Sequence, residues 1–204
     1  MDTDERQLTP RGEERRRQLI EFAARRFAEN GYHPTSVAEI VEGLGVGKGV
    51  FYWYFDSKDE LFRAILSEGQ RDLRRHQRDA IAGDLTPLER VRNGVRASIE
   101  WSLEQPVLVR LFQFAATDER FAGLLRQGER IAVRDAAHQI QEAMEAGEIP
   151  CADATLLAQA MLGVHTRIVH LMATGQIEAT DEIISTAVDF CVNGIRGAAD
   201  RSFI

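Results

Sequence analysis

The stretch Gly43-Leu-Gly-Val-Gly-Lys-Gly49 sets one lysine among four glycines. These are residue types that cradle phosphate, because backbone N–H groups approach closely where no side chain intervenes and the ammonium supplies charge. Spacing decides whose phosphate. A nucleoside-triphosphate loop needs glycine, four residues, then Gly-Lys followed by a hydroxyl to hold magnesium. Counting back from Gly47-Lys48, the first position is Glu42, and Gly49 stands where the hydroxyl should be. The dinucleotide pattern Gly-x-Gly-x-x-Gly reaches Lys48 from Gly43 and Val50 from Gly45, and no strand precedes it. Both nucleotide readings fail, which leaves a tight turn leading into Val-Phe-Tyr-Trp-Tyr-Phe55.

The elements around that turn have the order of a helix-turn-helix over about residues 36–55, in which one helix braces another whose outer side lies in the DNA major groove. Ser36-x-x-Glu39 reads as a reciprocal capping box, followed by an apolar face of Val37, Ile40, Val41 and Leu44. Gly43 and Gly45 interrupt that helix, and a third helix spans 47 to about 54. On a wheel, Phe51 and Phe55 lie about 40° apart and bury together. Gly49, Val50 and Trp53 then point away, flanked by Tyr52 and Tyr54, a face that bare solvent would not favour.

The rest of the chain also reads as helix. Apolar residues recur at three and four positions and nowhere alternate in a sustained way. A first helix carries Ile20, Ala23, Ala24 and Phe27 and stops at Asn30-Gly31, so three short helices crowd residues 13–56. Asp56-Ser57 with Glu60 caps a long fourth helix, about 58–82. Thr86-Pro87-Leu88-Glu89 opens one running to about Gln105. Further helices follow at 107–117, at 118–146 with Gly128 as a candidate break, at about 153–173 and at 181–199. The expected fold is all-α.

With 204 residues, 44% of them hydrophobic, the chain can bury a core, so disorder is excluded as its general state. The net charge of −7 argues at face value against nucleic acid. Residues 1–80, however, hold 14 basic and 15 acidic side chains, which puts most of the excess acid in the remainder, and Arg11, Arg15, Arg16 and Arg17 cluster near the start. Cys151 and Cys191 form no Cys-x-x-Cys pair, so neither a disulfide framework nor a zinc module is indicated. The first residues lack a secretory pattern. The longest uncharged run, Ala154 to Thr166, is too short to span a bilayer, so a cytoplasmic protein without a membrane partner is expected.

Thr35-Ser-Val-Ala-Glu-Ile40 together with Gly45-Val-Gly-Lys-Gly-Val-Phe-Tyr-Trp-Tyr-Phe-Asp-Ser-Lys-Asp-Glu-Leu61 closely resembles the DNA-binding domain of the TetR family of transcriptional regulators. The resemblance covers roughly residues 13–62, with the Gly-Val-x-Lys-Gly, Tyr-x-x-Phe and Ser-Lys-x-x-Leu elements in register. It implies an N-terminal three-helix DNA-binding domain (1–57) and a C-terminal helical domain (58–204) for ligand binding and dimerisation. Carried over by position, Lys48, Gly49, Tyr52 and Tyr54 would meet DNA from the recognition helix, and Lys58 and Ser36 would meet phosphates at the starts of their helices. Gly47 and Val50 stand where the family often has a hydroxyl. Gly47 still caps a helix, and Val50 fits a thymine methyl. Trp53 completes the outward face. The implied partners are a pseudopalindromic double-stranded DNA operator, a small-molecule effector and a second copy of the chain, with repression released by the effector.

Residues 81–204 hold no metal or catalytic signature. His165 and His170 are about 140° apart on a helix and cannot share one ion as an i, i+4 pair would. No cofactor and no enzyme activity are expected. Candidates for an effector lining are Trp101, Phe112, Phe114, Phe121, Met144, Met161 and His165, with ordinary core as the plainer alternative. The stripes Leu157, Met161, Val164, Ile168, Leu171 and Ile184, Val188, Cys191, Ile195 fit a bundle, and the last two helices are where the resemblance places a homodimer interface. Two other classes stay open. A protein-interaction module would bind no DNA, or hold it without salt dependence, and a helical enzyme would turn over whatever its pocket binds.

Overall fold

Thr9 opens the first helix: its side chain accepts the Gly12 N–H at 3.3 Å, and Pro10 fills the first helical position, where no N–H is needed. The computed structural model describes residues 9–197. Among them every regular element is a helix: α1 (Pro10–Asn30), α2 (Val37–Gly43), α3 (Lys48–Tyr54), α4 (Lys58–Ala80), α5 (Pro87–Glu104), α6 (Pro106–Thr117), α7 (Glu119–Glu145), α8 (Ala154–Ala173) and α9 (Asp181–Gly197). The all-α expectation holds, with an N-terminal helix-turn-helix followed by a helical C-terminal domain.

Several boundaries moved for identifiable reasons. At 21 residues α1 is not short. The helix extends well before its apolar stripe because Arg17 pairs with Glu14 (2.5 Å) and Glu21 (3.1 Å), contacts that a hydrophobic period does not register. α7 runs unbroken through Gly128, where an added Cβ would run into the Gln70 side chain, so the glycine serves close packing rather than a break. α8 continues past Arg167 to Ala173. By length and composition the whole helix, unlike the shorter uncharged run within it, is long and apolar enough to cross a membrane. The C-terminal limit expected for α9, residue 199, lies outside the described residues. The Thr86 capping box forms as read, with Thr86 Oγ1 accepting the Glu89 N–H (3.3 Å) and Glu89 accepting the Thr86 N–H (2.8 Å).

The described chain separates into two compact units. The first takes the chain up to Gly69 together with Val107–Phe121, and the second takes Gln70–Pro106 and Ala122 onward. In the first, Leu19, Ala23, Phe27, Ile40, Phe51, Leu61 and Phe62 are sealed from solvent. Burying each of the larger side chains contributes about 2–3 kcal/mol against leaving it exposed. The core of the second unit is built by Leu88, Val91 and Ile99 of α5, Val133 and Ile140 of α7, Ala158 and Met161 of α8, and Ile184, Val188, Cys191 and Ile195 of α9. The α9 stripe is therefore consumed inside the chain's own bundle. What α8 and α9 leave exposed is other faces, carrying Leu156 and Phe190.

Candidate nucleic-acid interface

α2 ends in a Schellman turn. The Val46 N–H reaches the Val41 carbonyl (2.9 Å) and the Gly45 N–H the Glu42 carbonyl (3.0 Å), which requires Gly45 to sit at φ 63°. Gly43 plays a different part from the interruption expected of it. It is the last residue of α2, and a Cβ there would overlap the Phe22 ring of α1, so its lack of a side chain lets the two helices close together. The capping box at Ser36 is half formed. Ser36 Oγ accepts the Glu39 N–H (3.1 Å), but the Glu39 carboxylate is drawn to Arg26 (Nη2 2.5 Å, Nε 3.1 Å) and Asn30 (3.1 Å), tying α2 to α1 instead.

Gly47 caps α3 through its backbone alone, with the Val50 N–H on its carbonyl at 2.9 Å. Phe51 and Phe55 turn inward, 0% and 2% exposed, with ring centroids 5.9 Å apart. The opposite face carries Tyr52 at 54% and Trp53 at 62% exposure beside exposed Lys48 and Gly49, while Val50 and Tyr54 are half-buried at its edges. Ser36 is exposed at the head of α2. The wheel drawn from the sequence is realised for Phe51, Phe55, Gly49 and Trp53, whereas Val50, expected to point away, is half-buried and Tyr52, expected at the flank, is exposed. A seven-residue helix capped by Gly47 presents a lysine, one glycine where backbone can be approached closely, and aromatic hydroxyl and indole edges. This set can donate to phosphate oxygens and lie against bases.

Lys58 is placed differently from its expected phosphate contact. Its Nζ donates to the carbonyls of Tyr32 (2.9 Å), Thr35 (2.9 Å) and His33 (3.3 Å), which uses all three of its N–H groups, and it lies 4.3 Å from the Tyr32 ring centroid. Burial pulls its ammonium below the usual lysine range, against the opposing pull of Asp59. Lys58 clamps the loop that leads into α2.

Sequence reasoning missed Tyr32. It is 3% exposed, its hydroxyl donates to Asp59, and Thr35, fully buried nearby, donates to the Gly31 carbonyl at 2.9 Å. Phe27, Phe62, Phe114 and Phe121 all lie within 5.5 Å of the Tyr32 ring, centroid to centroid. A lone tyrosine in a polar loop has no periodic signal. Its one sequence cue is its position directly after the Asn30-Gly31 stop.

The seven residues considered for an effector lining divide between the units. Phe112, Phe114 and Phe121 belong to the first, where Phe114 and Phe121 complete the aromatic cluster, and Trp101, Met144, Met161 and His165 belong to the second. Met144 and Met161 are core. Trp101 is 2% exposed and donates Nε1–H to Asp72 (2.8 Å). His165 stands 3.5 Å from Ser102 Oγ, in a polar seam where Ser102 donates to the Ser98 carbonyl (2.8 Å) and Gln77 to Ser98 Oγ (2.7 Å). Burial pushes the His165 imidazole pKa down, offset in part by the Ser98 backbone. Among the described residues no group of three His, Cys, Asp or Glu side chains is placed to hold a metal ion.

A short helix with an exposed cationic and aromatic face, braced across a glycine turn by a second helix, defines a helix-turn-helix DNA-binding protein. The family model described as bacterial regulatory proteins, tetR family, matches residues 19–65. The chain is 28% identical to the HTH-type transcriptional activator FasR of Mycolicibacterium smegmatis, over 81% of this chain and 68% of that protein. It is 37% identical to the HTH-type transcriptional repressor KstR2 of Mycobacterium tuberculosis, over 42% of this chain and 43% of that one. A TetR-like transcriptional regulator from Rhodococcus sp. RHA1 shares its fold at a TM-score of 0.75, with 22% identity over 90% of this chain and 96% of that one. Over residues 19–65 the chain is thus similar to the DNA-binding domain of tetR-family bacterial regulatory proteins.

Proposed function

We propose that the protein is a homodimeric, cytoplasmic repressor that binds a pseudopalindromic operator through residues 1–57 and is released when residues 58–204 bind a small-molecule effector. The observation that carries the DNA contact is the outward face of α3. Lys48, Tyr52 and Trp53 protrude, Gly49 and Gly47 admit close backbone approach, and Val50 and Tyr54 stand at the rim. Ser36 adds a hydroxyl at the start of α2. Lys58 acts one step removed, by holding the loop before Ser36.

Dimerisation through α8 and α9 is supported by what those helices leave uncovered. Leu156 and Phe190 are 61% and 66% exposed, and only 22% of the apolar α8 window is buried within the chain. Large apolar side chains in that state favour a second copy over water. Two dyad-related α3 helices would then read half-sites about one duplex turn apart or slightly more. For the effector, the second unit supplies a neutral polar seam at His165, Ser102 and Ser98 beside Trp101. A thousandfold drop in operator affinity on effector binding needs about 4 kcal/mol of coupling.

Relatives named as a repressor and as an activator both resemble this chain, so the sign of regulation is to be read directly. The test is selection of duplexes from a random pool by the purified protein, followed by a reporter placed under the selected sequence. Enrichment of an inverted repeat and derepression on deletion are expected. A pool that stays unenriched at low salt would end the operator reading.

A further inference from the structure

The corner between α6 and α7 reaches the loop before α2 through several side chains, and Arg120 makes the most polar contacts among them. The Arg120 guanidinium forks onto Asp118 (Nε 3.0 Å, Nη2 2.8 Å), reaches Asp59 at 3.5 Å, and lies 5.0 Å from the centroids of both Tyr32 and Phe121. Its own carbonyl accepts from Arg63 of α4 (3.4 Å), whose guanidinium covers Phe121 at 5.3 Å. His33 Nε2 stands 4.0 Å from the same Asp118 carboxylate. Behind the corner, α6 is seated closely on α4, because a Cβ on Gly69 would come within 3.0 Å of Phe112 and 3.2 Å of Leu108.

We propose that Arg120, far outside the helix-turn-helix, is a positioning residue for DNA recognition: it sets the pose of α2 and α3 by tying the α6–α7 corner to Tyr32 and Asp59. The links are consecutive. Arg120 orients the Tyr32 ring and the Asp59 carboxylate, and Asp59 accepts from the Tyr32 hydroxyl. Lys58, next to Asp59, lies over the same ring and holds the carbonyls of 32, 33 and 35. That loop ends at Ser36, the cap of α2, and the Schellman turn couples α2 to α3. Partly exposed ion pairs of this kind add little to net stability but are directional, so their main consequence is geometric. The apolar contacts of Phe27, Ile40, Phe51 and Leu61 hold the reading helices together without them. The helices therefore survive loss of Arg120 and lose a fixed aim.

The inference rests on the DNA-binding reading for its affinity arm only. The test uses the full-length protein and the variants Arg120→Ala and Arg120→Lys. Amide hydrogen exchange is followed without DNA, and affinity is measured at several salt concentrations on a duplex that the wild type selects from a random pool. For Arg120→Ala, exchange across residues 32–47 accelerates while α8 and α9 keep their protection, and affinity falls roughly tenfold. The slope of log affinity against log salt is unchanged, because no phosphate contact is removed. Arg120→Lys recovers part of both effects, since it restores a cation over Tyr32 but not the fork onto Asp118. Exchange at 32–47 that matches wild type overturns the proposal whatever the affinity. So does a salt slope shallower by about one, which would make Arg120 itself a phosphate ligand, or a loss of protection spread equally over α8 and α9. Should the wild type select no duplex, localised loosening upholds the tie to α2 and the DNA reading alone falls.

Discussion

Lys48 and Lys58 are ten positions apart in one motif, yet their ammonium groups do different work. Lys48 is exposed on α3, whereas Lys58 spends its donors on three carbonyls. Replacing each by glutamine therefore separates contact from support. Lys48→Gln should weaken duplex binding and flatten the salt slope by about 0.9, the signature of one phosphate lost. Lys58→Gln should weaken binding with the slope intact and should lower stability as well. Fluorescence anisotropy across a salt series distinguishes the two. His165 gives a second residue-scale expectation. Burial holds its folded pKa below the 6.5 of a free imidazole, so the unfolded chain takes up the proton first as pH falls. The stability tied to neutral His165 is complete above that value and is lost as pH drops through the folded pKa. Thermal midpoints should fall between about pH 7 and about pH 5 more steeply for wild type than for His165→Gln. Equal slopes would show that the imidazole does not titrate on unfolding.

At the scale of elements, the α2–turn–α3 unit depends on two glycines for two reasons. Gly45 occupies the left-handed region, where an alanine is strained, so Gly45→Ala should cost about 1 kcal/mol. Gly43 has ordinary helical backbone but faces the Phe22 ring, so Gly43→Ala should cost about 1–3 kcal/mol by overpacking. Adding Phe22→Leu should recover part of the loss at Gly43 and none at Gly45. Urea denaturation of the single and double variants measures this, and equal recovery at both sites would contradict the assignment. The glycines were legible in the sequence as a turn; their division of labour was not. Likewise the Ser36 half of the capping box could be read from spacing, but Glu39 had a competing partner in Arg26, thirteen positions earlier on another helix. A local pattern cannot anticipate such a choice.

For the molecule as a whole, the bundle stripes read on α8 and α9 were correct as apolar periods, yet their α9 members are used up in the chain's own core. For the proposed homodimer, the apolar side chains that α8 and α9 leave exposed are Leu156 and Phe190. Phe190→Glu with Leu156→Glu should shift sedimentation from dimer to monomer at micromolar concentration while helicity is preserved. Binding to a two-half-site duplex should then fall to that of a single half-site. A dimer that persists would move the interface to another face.

What the amino-acid order determined unaided is the set of helices, the Thr86 capping box, the Ser36 half of the other, and the inward turn of Phe51 and Phe55 that leaves Trp53 outside. Each depends on interactions within a few residues, where period, capping chemistry and glycine placement act directly. What only the tertiary structure decided is which polar side chains meet across long separations. Lys58 turns onto the loop at 32–35, Arg120 reaches back to Tyr32 and Asp59, and the candidate effector residues fall into different units. Those outcomes follow from the packing of helices distant in sequence, where charge and aromatic partners are selected by proximity in space.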